Sequence, residues 1–190
     1  APPSQVRGRP HPPPAPPPVD ESLRPWLEIE FKPEKLVATD SDTSVHFQLL
    51  VKNSGKSEAR NVRITAKMFN PSADQKEAIK AFFATPPKAG GQPVAIPPQL
   101  AARFKPSVVM PRESIRVLEV QERPIFVPTI AISIHYECGD GRRGQTCKSF
   151  LIGTEKNGQP SEKMGAFRLD LGPRIYRHVG GRPLELARAV

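Results

Sequence analysis

The segment VHFQLLVKNSGKSEARNVRITAKMF, residues 45–69, restricts the fold of this chain more than any other stretch. Val45, Phe47, Leu49 and Val51 share one parity while His46, Gln48 and Lys52 mostly take the other. Val62, Ile64, Ala66 and Met68 then alternate with Arg63, Thr65 and Lys67. A period of two places successive side chains on opposite faces, so each run predicts a strand with one buried face. Asn53, Ser54 and Gly55 supply turn residues between them, since Gly and Asn tolerate positive φ. The link from Lys52 to Asn61 is too long for a two-residue hairpin. The two strands are therefore antiparallel in sense, either side by side or in facing sheets.

Similar alternation recurs along the chain. PWLEIEF puts Leu27, Ile29 and Phe31 on one face, with Pro25 at the start of the strand. TIAISIHYEC alternates Ile130, Ile132, Ile134 and Tyr136 with Ala131, Ser133 and His135 and predicts a central strand. CKSFLIG follows across the turn-rich GDGRRGQT, so the two should form a hairpin. In ESIRVLEVQE both parities carry apolar residues, Ile115 and Val117 on one, Leu118 and Val120 on the other, which predicts a bulge or a strand buried on both faces. FRLDL reads as a final short strand. One helix interrupts the series: Ser72 or Asp74 can cap it, Glu77 suits its first turn, Ala78, Ile79, Phe82 and Phe83 have helical spacing, and Pro86 stops it, giving about 74–84. The proline-rich crossing from Lys88 to Pro111 reads as irregular, with room for one edge strand.

Of the 24 prolines, nine fall in the first 18 residues, where Val6 is the only large apolar side chain. Such a segment favours an extended, solvated rod and cannot offset the entropy of packing, so residues 1–23 read as a Pro-rich linker, either a spacer or a disordered leader. The sequence starts at Ala1 without an initiator Met, which leads us to expect a segment upstream, a signal peptide or membrane anchor being one candidate. No window approaches the roughly 18 continuous apolar residues needed to span a bilayer. The net charge is +9, and residues 141–190 hold ten Lys and Arg against four acidic residues. That end can meet an acidic protein, an anionic surface or nucleic acid, but its charges form no block and few aromatics interleave them, so a solvated basic surface is favoured over a nucleic-acid site.

Short strands with turn punctuation, one helix and an aliphatic core predict an all-β chain: an immunoglobulin-like antiparallel β-sandwich with one short inserted helix. The expected organisation is a linker over 1–23, the sandwich over 24–171 and a basic tail over 172–190.

Val51, Asn53, Gly55, Ala59, Asn61 and Val62 form a V-x-N-x-G strand end followed by an A-x-N-V strand start. This pattern resembles bacterial extracytoplasmic immunoglobulin-like modules of the cell-adhesion-related (CARDB-like) kind. With the RPW at 24–26 and the Y-x-x-G from Tyr136 to Gly139, it is also similar to membrane-tethered bacterial sandwich proteins. The resemblance covers roughly 24–153 and implies a sandwich outside the cytoplasm, periplasmic or at the cell surface. It has no helix at 74–84 and transfers no site residues.

The two cysteines, Cys138 and Cys147, flank GDGRRGQT. If the hairpin closes symmetrically they lie opposite each other, close enough for a disulfide, and a disulfide implies an oxidising compartment. That closure sets Ile134 against Leu151 and Tyr136 against Ser149, which requires a bulge to bring the apolar faces together; two reduced thiols are the alternative. Arg142 and Arg143 at the hairpin tip are the candidate partner-binding residues, suited to an anionic group. His135, Glu137 and Cys138, with Cys147 or His46, have ligand chemistry but no metal-site spacing, so no metal and no cofactor is expected. His46 and His135 lack a nucleophile elbow, and GDGRRG and VGGRP lack the Lys and helix of a phosphate loop, so no catalytic residues are expected.

These readings converge on a non-catalytic extracytoplasmic module, tethered through an upstream segment and working through protein contacts at the Arg142 and Arg143 tip, the 74–84 helix and the basic tail. The alternatives are an intracellular basic nucleic-acid-binding protein and a hydrolase or metal enzyme with dispersed residues.

Overall fold

A computed structural model describes residues 23–88, 91–156, 163–185 and 188–189. Its strands in chain order are β1 (Leu27–Ala38), β2 (Asp42–Asn53), β3 (Ala59–Phe69), β4 (Val94–Ile96), β5 (Ala101–Phe104), β6 (Ser107–Pro111), β7 (Leu118–Val120), β8 (Arg123–Ile125), β9 (Thr129–Glu137), β10 (Arg143–Thr154), β11 (Arg174–Tyr176), β12 (Val179–Pro183) and β13 (Arg188–Ala189). The helix α1 (Gln75–Ala84) lies between β3 and β4.

Among the described residues, one antiparallel sheet runs β11-β1-β2-β5, with β6 also on β2, and a second runs β12-β10-β9-β3-β4, with β13 also on β10. The first, second and fifth strands thus face the third, ninth and tenth, which is an immunoglobulin-like arrangement. β2 and β3 belong to facing sheets, and the NSGKSEARN link crosses between them.

The expected alternation is what fills the space between the sheets. Val45, Phe47, Leu49 and Val51 of β2 and Ile130, Ile132 and Ile134 of β9 are all buried, and Phe31 stacks on Phe150 across the gap with ring centroids 4.4 Å apart. Each such side chain contributes about 1.5–3 kcal/mol relative to exposure. Pro33 lacks the N–H a ladder needs; it sits in β1 beside a register shift between Pro33 and Lys35, where an irregular ladder tolerates it.

α1 starts one residue after Asp74, whose carboxylate accepts a hydrogen bond from Ser72 Oγ at 2.7 Å rather than capping the helix with its side chain. Buried Ile79 and Phe83 hold the helix on the outer face of the second sheet, against Phe69, Ala131 and Cys147. β9 is therefore covered on both faces, by the core and by the helix.

Several expectations change. The crossing from Lys88 to Pro111, expected as irregular with one edge strand, holds β4, β5 and β6. ESIRVLEVQE is not a strand buried on both faces: it begins in a 3-10 turn and ends in β7, whose Leu118 and Val120 are exposed and which pairs only with β8. Gln121 and Glu122 close that ribbon at φ 50° and 61°, the shape of a tight hairpin turn without its usual Gly or Asn. Residues 172–190, expected as a basic tail, mobile or docked, supply β11 on β1 and β12 on β10 and so join both sheets. Arg182 pairs with the buried carboxylate of Glu155 at 2.8 Å. FRLDL is not a strand: Phe167 forms an isolated bridge to Phe126, Arg168 is extended, and Leu169–Leu171 form a 3-10 turn.

Candidate functional site: a basic groove along the third strand

The β9–β10 ladder decides the hairpin residues. It pairs Arg143 with Glu137, Gln145 with His135 and Cys147 with Ser133, five residues away from symmetric closure. Cys138 and Cys147 are both free thiols. Cys147 Sγ lies 3.7 Å from Ser133 Oγ under α1, while Cys138 packs against the main core at the turn. They sit on opposite faces of the sheet and, at 3.4 Å per residue, roughly 17 Å apart along it, far beyond disulfide reach. The expected Cys138–Cys147 disulfide is thereby corrected. Ile134 meets Thr146 and Ile132 meets Lys148, whose Nζ reaches the Ile29 carbonyl on the opposite sheet at 3.4 Å.

Arg142 and Arg143 part company. Arg142 stays in the turn, where its Nε donates to Asp140 Oδ2 at 2.6 Å. Arg143 opens β10 and lines a pocket of about 390 Å³ with Asn61, Arg63, Pro86, Pro87, His135 and Glu137. Glu137 accepts from Asn61 Nδ2 at 2.7 Å. His135 Nδ1 is buried with no hydrogen-bond partner among the described residues, and burial pushes the imidazole below its ordinary pKa, favouring the neutral ring. His46 lies on the other sheet, in β2, away from His135, Glu137 and both cysteines.

Two further cavities share lining residues with this pocket, and together they form a groove. Cavities of about 400 Å³ and about 670 Å³ continue along β3 as far as Phe69. Their walls take β3 residues of both parities, from Val62 to Lys67, so they follow the edge of the strand and not one face of it. α1 and Pro86 form one side, through Ala78, Ala81 and Phe82, and Val94 and Phe104 contribute to the other. Arg63, Lys67, Lys88 and Arg143 make the feature basic, with Glu137 as the acid at its end. Lys67 Nζ also lies 5.3 Å from the Phe69 ring centroid.

Sequence reasoning picked out Arg143 and the helix but missed Arg63, Lys67 and Lys88. The alternation in β3 showed that Arg63 and Lys67 point away from the core; it did not show that Lys88, 21 positions after Lys67, returns beside them. The glycines of VGGRP prove to be packing positions: Gly180 and Gly181 leave no room for a Cβ beside Glu155 and Phe31.

Residues 19–155 match the family described as a domain of unknown function, DUF8453. The chain belongs to that family. No curated protein and no solved structure matches the chain. The DUF8453 match spans β1 to β10 and includes every groove residue named above, whereas β11 to β13 lie after it.

Proposed function

We propose that this DUF8453 domain is a non-catalytic protein-interaction module that uses the basic groove along β3 as its contact surface. One observation carries the reading: Arg143 and the end of α1, which are far apart in sequence, come together with Arg63, Lys67 and Lys88 around three neighbouring cavities that share lining residues. A long basic cleft with an apolar floor suits a polypeptide partner of opposite charge. The basic C-terminal part favours nucleic acid less, because Arg168 is paired with Asp170, Arg182 with Glu155, and Arg174 lies over Tyr176. An extracytoplasmic position, with tethering through an upstream segment, is supported by the Pro-rich residues 1–23 and the V-x-N-x-G resemblance; the cysteines no longer contribute to it.

Site-specific photo-crosslinking in the native host tests the function. A photoreactive residue at Lys67 or Lys88 should give a discrete protein adduct, while the same residue at Lys32, on the opposite sheet, should not. Equal adducts at all three positions, or none at any, would refute the groove as a contact surface. Fractionation of the same cells tests the compartment.

A further inference from the structure

The groove is more specific than a charged cleft, because it coincides with a missing strand. β4 pairs with β3 only at Ala59 with Ile96 and at Val62 with Val94, and among the described residues no strand pairs with β3 on that side from Ile64 to Phe69. Pro93 accounts for the stop: without an N–H it cannot extend the ladder, and the chain leaves the sheet at exposed Gln92. The consequence is visible in the core-facing residues of β3. Val62, beside β4, is buried, Ile64 and Ala66, one and two steps past the end of β4, are only partly buried, and burial returns at Met68. Val94 and Phe104, across the gap, are partly buried too. In an antiparallel strand alternate residues direct both backbone groups to one side, so this stretch turns toward the cavity N–H and C=O groups that no strand pairs among the described residues.

We propose that an extended segment of an acidic partner protein adds to the edge of β3 in line with β4, completing the second sheet. This deepens the protein-interaction reading and rests on it. The strand position dictates the partner's chemistry. Side chains on the inward parity meet Ile64, Ala66 and Phe104 and must be apolar or small. Side chains on the outward parity lie beside Arg63, Lys67 and Lys88 and must be acidic, since opposite charges across neighbouring strands attract and like charges repel. Backbone pairing supplies the common part of the affinity and the alternation supplies selectivity, as in other strand-addition complexes.

The probe is a capped peptide of alternating Glu and Val, offered to the full chain while amide hydrogen exchange is followed residue by residue. In the free protein, alternate amides between Ile64 and Lys67 should exchange readily, and the peptide should protect them. The same peptide N-methylated at alternate amides, with side chains unchanged, should protect none. A K67E/K88E double variant leaves the core intact and should weaken binding by about tenfold. The proposal is overturned if those amides are already protected in the free chain, if a second copy covers the edge in sedimentation experiments, or if the N-methylated peptide or its Lys-Val counterpart binds equally well. Crosslinks at Lys67 and Lys88 without amide protection would remove strand addition and leave the interaction reading standing. Protection by the peptide without crosslinks in cells would refute the groove as a contact surface in the host, and the partner proposal with it, leaving only an edge able to accept a strand.

Discussion

Asn53 is the residue whose replacement should cost this domain most for its size. It is fully buried at the end of β2, and its side chain makes four hydrogen bonds. Oδ1 accepts from the backbone N–H of Trp26 at 3.2 Å and of Gly55 at 3.0 Å, and Nδ2 donates to the carbonyls of Ser57 at 2.8 Å and Ile96 at 2.9 Å. One amide thus ties the start of β1, the link between the sheets and the end of β4. Asn53→Ala removes all four bonds and leaves two donors and two acceptors without that partner. The bonds with Gly55 and Ile96 are buried, at about 1–3 kcal/mol each, and the two part-buried ones are worth about 0.5–1.5 kcal/mol each. The expected loss is therefore at least about 3 kcal/mol, a large share of the 5–15 kcal/mol typical of a folded domain. Urea unfolding of the variant against wild type measures it. Ser54→Ala, which touches only the Trp26 carbonyl from an exposed position at 3.4 Å, is the control and should fall within about 0.5 kcal/mol. A loss below about 1 kcal/mol for Asn53→Ala would show that water or relaxation replaces the hub, and the reasoning would fail.

Gly144→Ala should destabilise by about 1–3 kcal/mol in a thermal or urea melt, because its Cβ would enter the ring of buried Tyr136, which it faces across the hairpin. Native protein should take one alkyl group without reductant, at Cys138, and a second at Cys147 only on unfolding, as intact mass will show. Burial, and after it the Asp140 carboxylate, hold the Cys138 thiol above its ordinary pKa, so labelling at neutral pH should be slow and Asp140→Asn should speed it. His135 is expected to make stability fall as pH drops below its unfolded value near 6.5. Its folded pKa is the lower one, so the unfolded chain binds the proton first, and His135→Gln should flatten that limb of a stability–pH curve.

The V-x-N-x-G pattern shows how far the sequence could be read. Alternation located β2, β3 and β9 because one face of each strand meets the core, and a period of two needs no tertiary knowledge. The pattern's functional reading was less secure: Asn53 is a buried hydrogen-bonding hub, and Gly55 is glycine because a Cβ there would strike the backbone of Arg24, Pro25 and Trp26. Both residues are architectural. The hairpin register was not legible for a related reason. Symmetric closure about the two cysteines set the apolar faces out of step, whereas the ladder pairs Ile130 with Phe150 and keeps them together. α1 covers the other face, so Cys147 and Ala131 are as well buried as the isoleucines.

The groove was illegible for a different reason, since it is made by what stops short and not by a motif. Pro93 in QPVAIPP limits β4 at Val94, but the sequence does not say that β4 lies beside a strand that runs on to Phe69; only the ladder reveals the mismatch in length. An exposed edge of this kind is a hazard that a fold normally hides with charge, proline or a covering element. Here each device is partly in place: Pro93 ends the neighbour, α1 and Pro86 line one wall, and Lys67 and Lys88 stand at the rim. The two lysines oppose pairing with another positively charged edge and favour an acidic one. The same arrangement that resists indiscriminate strand pairing is the one the proposed acidic strand would have to match.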